Sequence, residues 1–107
     1  MNSQYKKGVL ELCVLSLLSR QDCYGYDVSE YLSRHIEIAD GTVYPILRKL
    51  KSDGFVTTYL SEESGGPPRK YYSLTKTGKE EYLSQKAEWL AFADAIGNLL
   101  KGDIKGE

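Results

Sequence analysis

Apolar residues recur at helical spacing in four stretches of this chain. From Gly8 to Leu18 the sequence GVLELCVLSLL is apolar on nearly every side, the pattern of a helix buried among several partners. The polar stretch SRQDC breaks it. Tyr24, Val28, Tyr31 and Leu32 then recur at i, i+4, i+7 and i+8, which predicts a second, amphipathic helix running to about His35. After the connection IEIAD, residues Val43, Ile46, Leu47 and Leu50 define a third helix by the same logic. Asp40 or Thr42 can cap its start through a side-chain oxygen, Pro45 lies close enough to that end to be tolerated, and Gly54 can end it in a left-handed conformation.

The period then changes from helix to strand. FVTTYL and RKYYSL are rich in β-branched and aromatic residues, and the polar, glycine- and proline-rich SEESGGPP between them reads as the long loop of a β-hairpin. At LTKTGKEE the chain returns to helix, with Thr75 or Thr77 as N-cap and Thr77 to Glu80 in capping-box spacing. This fourth helix should run to about Lys101, with the polar KGDIKGE fraying beyond it. Tyr82, Trp89 and Ile96 repeat along it at seven residues, as do Gln85, Phe92 and Leu99, with Leu83, Leu90, Ala93 and Leu100 alongside. A helix of roughly 35 Å, at about 1.5 Å per residue, is too long for the rest of the chain to cover. A second copy of the chain is the natural cover.

Three helices followed by a hairpin is the order of a winged helix-turn-helix. The expected fold is mainly α with a small β-hairpin. Residues 1–75 form the winged helix-turn-helix DNA-binding domain and residues 76–107 the C-terminal dimerisation helix and tail.

Charge distribution sharpens this reading. The net charge is only −1, but residues 1–40 carry −2, residues 41–79 carry +4 and residues 80–107 carry −3. Positive charge therefore gathers on the segment that holds the third helix and hairpin. With Val43, Ile46, Leu47 and Leu50 turned to the core, Gly41, Tyr44, Pro45, Arg48 and Lys49 face outward. Arg48 and Lys49 suit phosphates or guanine edges, Tyr44 can donate to phosphate and pack on a base or sugar, and Thr42 adds a hydroxyl. Arg69 and Lys70 on the returning strand would extend the contact to the backbone or the minor groove. Taken alone, Arg48 and Lys49 also fit an ordinary solvated helix face, Tyr44 a half-buried core residue, and Arg69 and Lys70 strand-edge charges that block aggregation. Glu62 and Glu63 in the hairpin loop would repel phosphate and hold the wing tip away from DNA.

Other chemistry is sparse. With 41% hydrophobic and 27% charged residues the chain should fold as a globular protein. Lysines precede an apolar run near its start, but Glu11 interrupts that run, which is shorter than the roughly 20 residues of a membrane span. A cytoplasmic protein is expected. Cys13 and Cys23 match neither a metal-ligand set nor a disulfide framework and read as inert thiols. The lone histidine, His35, reads as a helix-end residue near terminal carbonyls. There is no phosphate-binding glycine loop and no nucleophile with a base, so we expect neither an enzyme nor a bound cofactor or metal.

The segments GTVYPILRKLKSDGFV and GGPPRKYYSLTKTGKE, with YGYDV in the second helix, closely resemble the PadR family of winged-helix regulators in motif and spacing over about residues 8–80. The resemblance implies a homodimeric regulator, usually a repressor, that binds an operator of inverted half-sites and releases it when a small molecule binds. It is nearest the small subfamily with a single C-terminal helix. There it implies that Trp89, with Phe92, Ala93 and Ile96 on the same face, lies at the dimer interface and stacks a planar aromatic effector. A tryptophan in so wide a stripe is more often plain interface core. The competing function is a protein-interaction adaptor that uses the C-terminal apolar stripe to join a different chain.

Overall fold

A computed structural model describes residues 3–39, 41–62 and 65–104. Helix α1 spans Ser3–Arg20. The two-residue strand β1, Cys23–Tyr24, leads directly into helix α2, Gly25–Ser33. Helix α3 covers Val43–Ser52, strands β2 and β3 cover Val56–Ser61 and Arg69–Leu74, and helix α4 runs over Lys76–Ile104.

The core is the one that the apolar periodicity predicts. Leu10, Val14, Leu15, Leu17 and Leu18 of α1 meet Val28 and Leu32 of α2 and Val43, Ile46, Leu47 and Leu50 of α3. Cys23, Val56 and Tyr72 close it from the sheet. Burial pushes both cysteine thiols above their ordinary pKa, which keeps them as unreactive thiols near neutral pH. His35 also behaves as expected, its Nδ1 lying 3.0 Å from the Tyr31 carbonyl oxygen at the end of α2.

The sheet has three strands rather than the two of a plain hairpin, in the order β1-β3-β2, all antiparallel. β1 is too short to carry a period of its own. It exists because Cys23 and Tyr24 pair with Tyr72 and Tyr71 of β3. Register aligns Tyr24, Tyr71 and Tyr59 in one row across all three strands and Cys23, Tyr72 and Thr58 in the next. Alternation sends the first row outward and buries Cys23 and Tyr72 of the second.

Two junctions fix the hairpin against the helices. At the end of α3 the Gly54 N–H donates to the Lys51 carbonyl at 3.1 Å and the Phe55 N–H to the Leu50 carbonyl at 2.9 Å. Gly54 has φ +82°, so this is a Schellman turn that needs a left-handed residue. The start of α4 is capped by Thr75, whose hydroxyl accepts the Gly78 N–H at 3.0 Å and donates to the Gly54 carbonyl at 2.7 Å. Thr75 thus resolves the two N-cap candidates. Thr77 lies inside the helix, so the Thr77–Glu80 capping box does not start it. Gly78 lets α4 approach so closely that a Cβ there would sit 2.0 Å from the Phe55 carbonyl oxygen.

At α3 the capping expectation is not met by Thr42, whose side chain makes no capping hydrogen bond. Asp40, the other candidate, is outside the described residues, as are Glu63 and residues 105–107. Helix α4 reaches beyond Lys101, and its distal half leaves the globular part, giving a molecule with extents of 60 × 28 × 21 Å. Trp89, Leu90, Phe92, Ala93, Ile96, Leu99 and Leu100 are exposed along it.

Candidate nucleic-acid interface

The outward face of α3 follows from its buried face. With Val43, Ile46, Leu47 and Leu50 inside, Tyr44, Pro45, Arg48 and Lys49 are exposed and Thr42 is half-buried at the start. Tyr44 and Arg48 are one turn apart on the same side. They form one wall of a cleft of about 400 Å³, with Tyr24, Gly25 and Tyr26 at the start of α2 and Lys70 and Tyr72 of β3 forming the rest. Among the described residues no carboxylate lines it. Among the described residues neither Arg48 nor Lys70 has an ion-pair partner. The cleft therefore presents two free cations and several tyrosine hydroxyls, a set that binds anionic oxygens.

Arg69 and Lys70 part company because successive strand residues face opposite ways. Lys70 joins the cleft. Arg69 lies on the outer face with its guanidinium 4.9 Å from the centre of the Tyr24 ring, a cation–π contact that orders the side chain without neutralising it. Tyr24 meets Tyr71 edge-on at 5.7 Å, and Tyr71 stacks with Tyr59 at 5.6 Å. The Tyr59 hydroxyl donates to Asp22 at 2.7 Å, which ties β2 to the segment before β1.

Lys49 departs from the sequence expectation. Its ammonium donates to Glu11 of α1 at 2.9 Å and to Asp53 at 3.1 Å. The Glu11 hydrogen bond, followed by that to Asp53, raises its pKa above the ordinary lysine value. Lys49 braces α3 against α1, with its charge compensated on the spot. Tyr44, Arg48 and Lys70 are brought together in the cleft, Thr42 stays outside its lining, Arg69 lies on the flank, and Lys49 is held in a surface ion-pair cluster with Glu11 and Asp53.

Sequence reasoning left out Tyr24, Tyr26, Tyr59 and Tyr71, which shape the cleft and support Arg69. A compositional signal for them was present, since tyrosine outnumbers phenylalanine nine to two. Tyr24 and Tyr26 in YGY, Tyr71 in KYY and Tyr59 in TTYL supply aromatic area with a polar tip, which suits a half-exposed surface.

Trp89 and Phe92 on α4 are partners at 6.4 Å between ring centres. With Gly8, Val9 and Leu12 of α1 and Gln85 and Glu88 of α4 they line a groove of about 390 Å³. Ala93 and Ile96 continue the exposed face beyond it. Among the described residues no helix is long and apolar enough to cross a membrane.

The comparisons agree with this geometry. The chain is 31% identical to the negative transcriptional regulator PadR of Bacillus subtilis over 100 residues, 90% of this chain and 53% of that protein. It therefore spans about half the length of that regulator. An uncharacterized protein X of Lysinibacillus sphaericus is 30% identical over 95% of this chain and 97% of its own length. Among solved structures, a PadR-like transcriptional regulator from Bacillus cereus is 35% identical with a TM-score of 0.84, covering 91% of this chain and 96% of that one. A Streptococcus transcriptional regulator superposes with a TM-score of 0.85 at 31% identity, covering 92% and 98%. Residues 14–84 match the transcriptional regulator PadR-like family, and with a winged helix-turn-helix built around that segment the chain belongs to this family of DNA-binding transcriptional regulators.

Proposed function

We propose that the protein represses transcription as a homodimer, reading an inverted-repeat operator with residues 1–75 and dimerising through residues 76–107. The observation that carries this reading is the cleft, lined by no carboxylate among the described residues, in which Tyr44 and Arg48 of α3 meet Lys70 of β3. Arg48 enters the major groove for a phosphate or guanine edge, and Tyr44 and Thr42 supply hydroxyls to the backbone. Lys70 takes a flanking phosphate, and Arg69 reaches the backbone beside the wing. Lys49 holds the angle of α3. Glu62 keeps the wing tip off the phosphates.

Dimerisation is supported by α4. Its exposed large apolar side chains include Leu83, Trp89, Phe92 and Leu99, at 58%, 42%, 59% and 67% exposure. Together the exposed apolar residues of this helix offer on the order of 700 Å², close to the roughly 800 Å² that each partner contributes to an ordinary interface. Two-fold symmetry then sets two copies of α3 on one face of the duplex. The groove at Trp89 and Phe92, continued by Ala93 and Ile96, has the aromatic walls to stack a planar effector whose binding releases the operator.

The test is to select duplexes from a random-sequence pool with purified protein, then titrate the selected duplex by fluorescence anisotropy at two salt concentrations. A scrambled duplex is the control, and sedimentation gives the stoichiometry. Salt-sensitive, sequence-preferring binding of a dimer is expected. A monomer that binds both duplexes alike would overturn the reading and favour an adaptor that uses α4 to hold a different chain.

A further inference from the structure

Gly25, the second residue of the YGYDV motif, lines the cleft without a side chain to contribute to it. It is the first residue of α2 and is buried. Its backbone does not require glycine, for the positive-φ glycines are Gly41, Gly54 and Gly65. At a helix position of ordinary conformation alanine is the better residue, since glycine loses more backbone freedom on folding. The reason for glycine here lies across the cleft. A Cβ on Gly25 would stand 2.6 Å from Cε1 of Tyr44 and 3.4 Å from its Cζ. The Tyr44 ring rests on the bare backbone at the start of α2.

We infer that Gly25 is a positioning residue for DNA recognition: its missing side chain seats the Tyr44 ring against α2 and so aims the Tyr44 hydroxyl into the cleft shared with Arg48 and Lys70. This rests on the cleft being the DNA-binding site. Ordinary carbon contacts lie near 3.5–4.0 Å, so a methyl group at position 25 must push the ring outward by about 1 Å. Tyr44 is 40% exposed, so the ring has solvent to move into and the fold need not change. Displacement by that distance is enough to spoil a hydrogen bond whose useful range spans only about 0.5 Å. Gly25 thus acts through Tyr44 alone, and its effect must vanish when the ring is absent.

The experiment is a double-mutant cycle on the full chain with the duplex selected by wild-type protein. Gly25→Ala is expected to weaken binding about fivefold, the worth of one hydrogen bond, with thermal unfolding preserved. Tyr44→Ala should weaken binding at least as much. Gly25→Ala added to Tyr44→Ala should change nothing further, because the vacated space accepts the methyl group. This second comparison does not depend on how well the single Gly25 variant folds. Fluorine NMR of meta-fluorotyrosine at position 44 reports ring displacement directly, and its resonance should move with Gly25→Ala. Full affinity in Gly25→Ala, or the same fivefold loss with and without the Tyr44 ring, would overturn the inference. Arg48→Ala separates the two levels of failure. If it still weakens binding, the cleft stands as the DNA site and only the role of Gly25 is lost; if it does not, both fall.

Discussion

Two adjacent cations on α3, Arg48 and Lys49, should differ sharply when their charges are removed. Each protein cation that meets a DNA phosphate contributes about 0.9 to the slope of log affinity against log salt. Arg48 is free to make such a contact, so Arg48→Ala should lower the slope by about 0.9. Lys49 is held by Glu11 at 2.9 Å and by Asp53 at 3.1 Å. Removing it alone would expose two carboxylates and weaken binding by repulsion, which would mimic a lost contact. The informative variant is therefore Lys49→Met with Glu11→Gln, which removes one charge of each sign. Its slope should match wild type within about 0.3, measured by anisotropy over a range of salt concentrations. The pair does contribute to stability. Lys49 is 51% exposed, so solvent screening limits that contribution to about 1 kcal/mol. That corresponds to a fall in Tm of roughly 5 °C for a domain of this size. Because the Lys49 pKa is raised on folding, its contribution is full at neutral pH and is lost as pH climbs through the raised lysine value. A slope reduced by about 0.9 in the double variant would refute the assignment, for it would mean that Lys49 leaves both carboxylates to meet phosphate.

Gly78→Ala should destabilise the fold by about 3 kcal/mol in thermal or urea unfolding, since its Cβ meets the Phe55 carbonyl at 2.0 Å and either β2 or α4 must shift. A loss below about 1 kcal/mol would show that the junction yields easily. Thr75→Val keeps the shape but loses the cap on Gly78 and the bond to Gly54, and should cost about 1–2 kcal/mol in the same assay. If the chain dimerises through α4 as proposed, Trp89→Ala should raise the dissociation constant at least about tenfold by sedimentation. An unchanged constant would remove Trp89 from the interface.

The outward side of α3 was legible because burial on a helix repeats along a single element. Four apolar positions identify the inner face, and Tyr44 and Arg48 must then lie outside. The pairing of Lys49 with Asp53 follows i,i+4 spacing, but its pairing with Glu11 was not legible, because Glu11 is 38 residues away and nothing in local spacing relates them. The separation of Arg69 from Lys70 follows from strand alternation, yet which of them enters the cleft depends on which sheet face packs on the helices. Strand β1 escaped notice because its two residues are extended only by virtue of pairing with β3. The Thr75 cap was half legible: the sequence offered two threonines, and the choice was made by the Gly54 carbonyl and the close approach at Gly78.

By itself, then, the sequence determined the order of elements, the buried face of each helix, the hairpin and the uncovered stripe of the last helix. These are properties of periodicity, which each segment carries within its own residues. Tertiary structure alone decided which cations stay free, which tyrosines gather around them and where a missing side chain matters. Those depend on charges and rings from distant segments meeting at a few ångströms, where a single carboxylate or methyl group changes what a neighbouring side chain can reach.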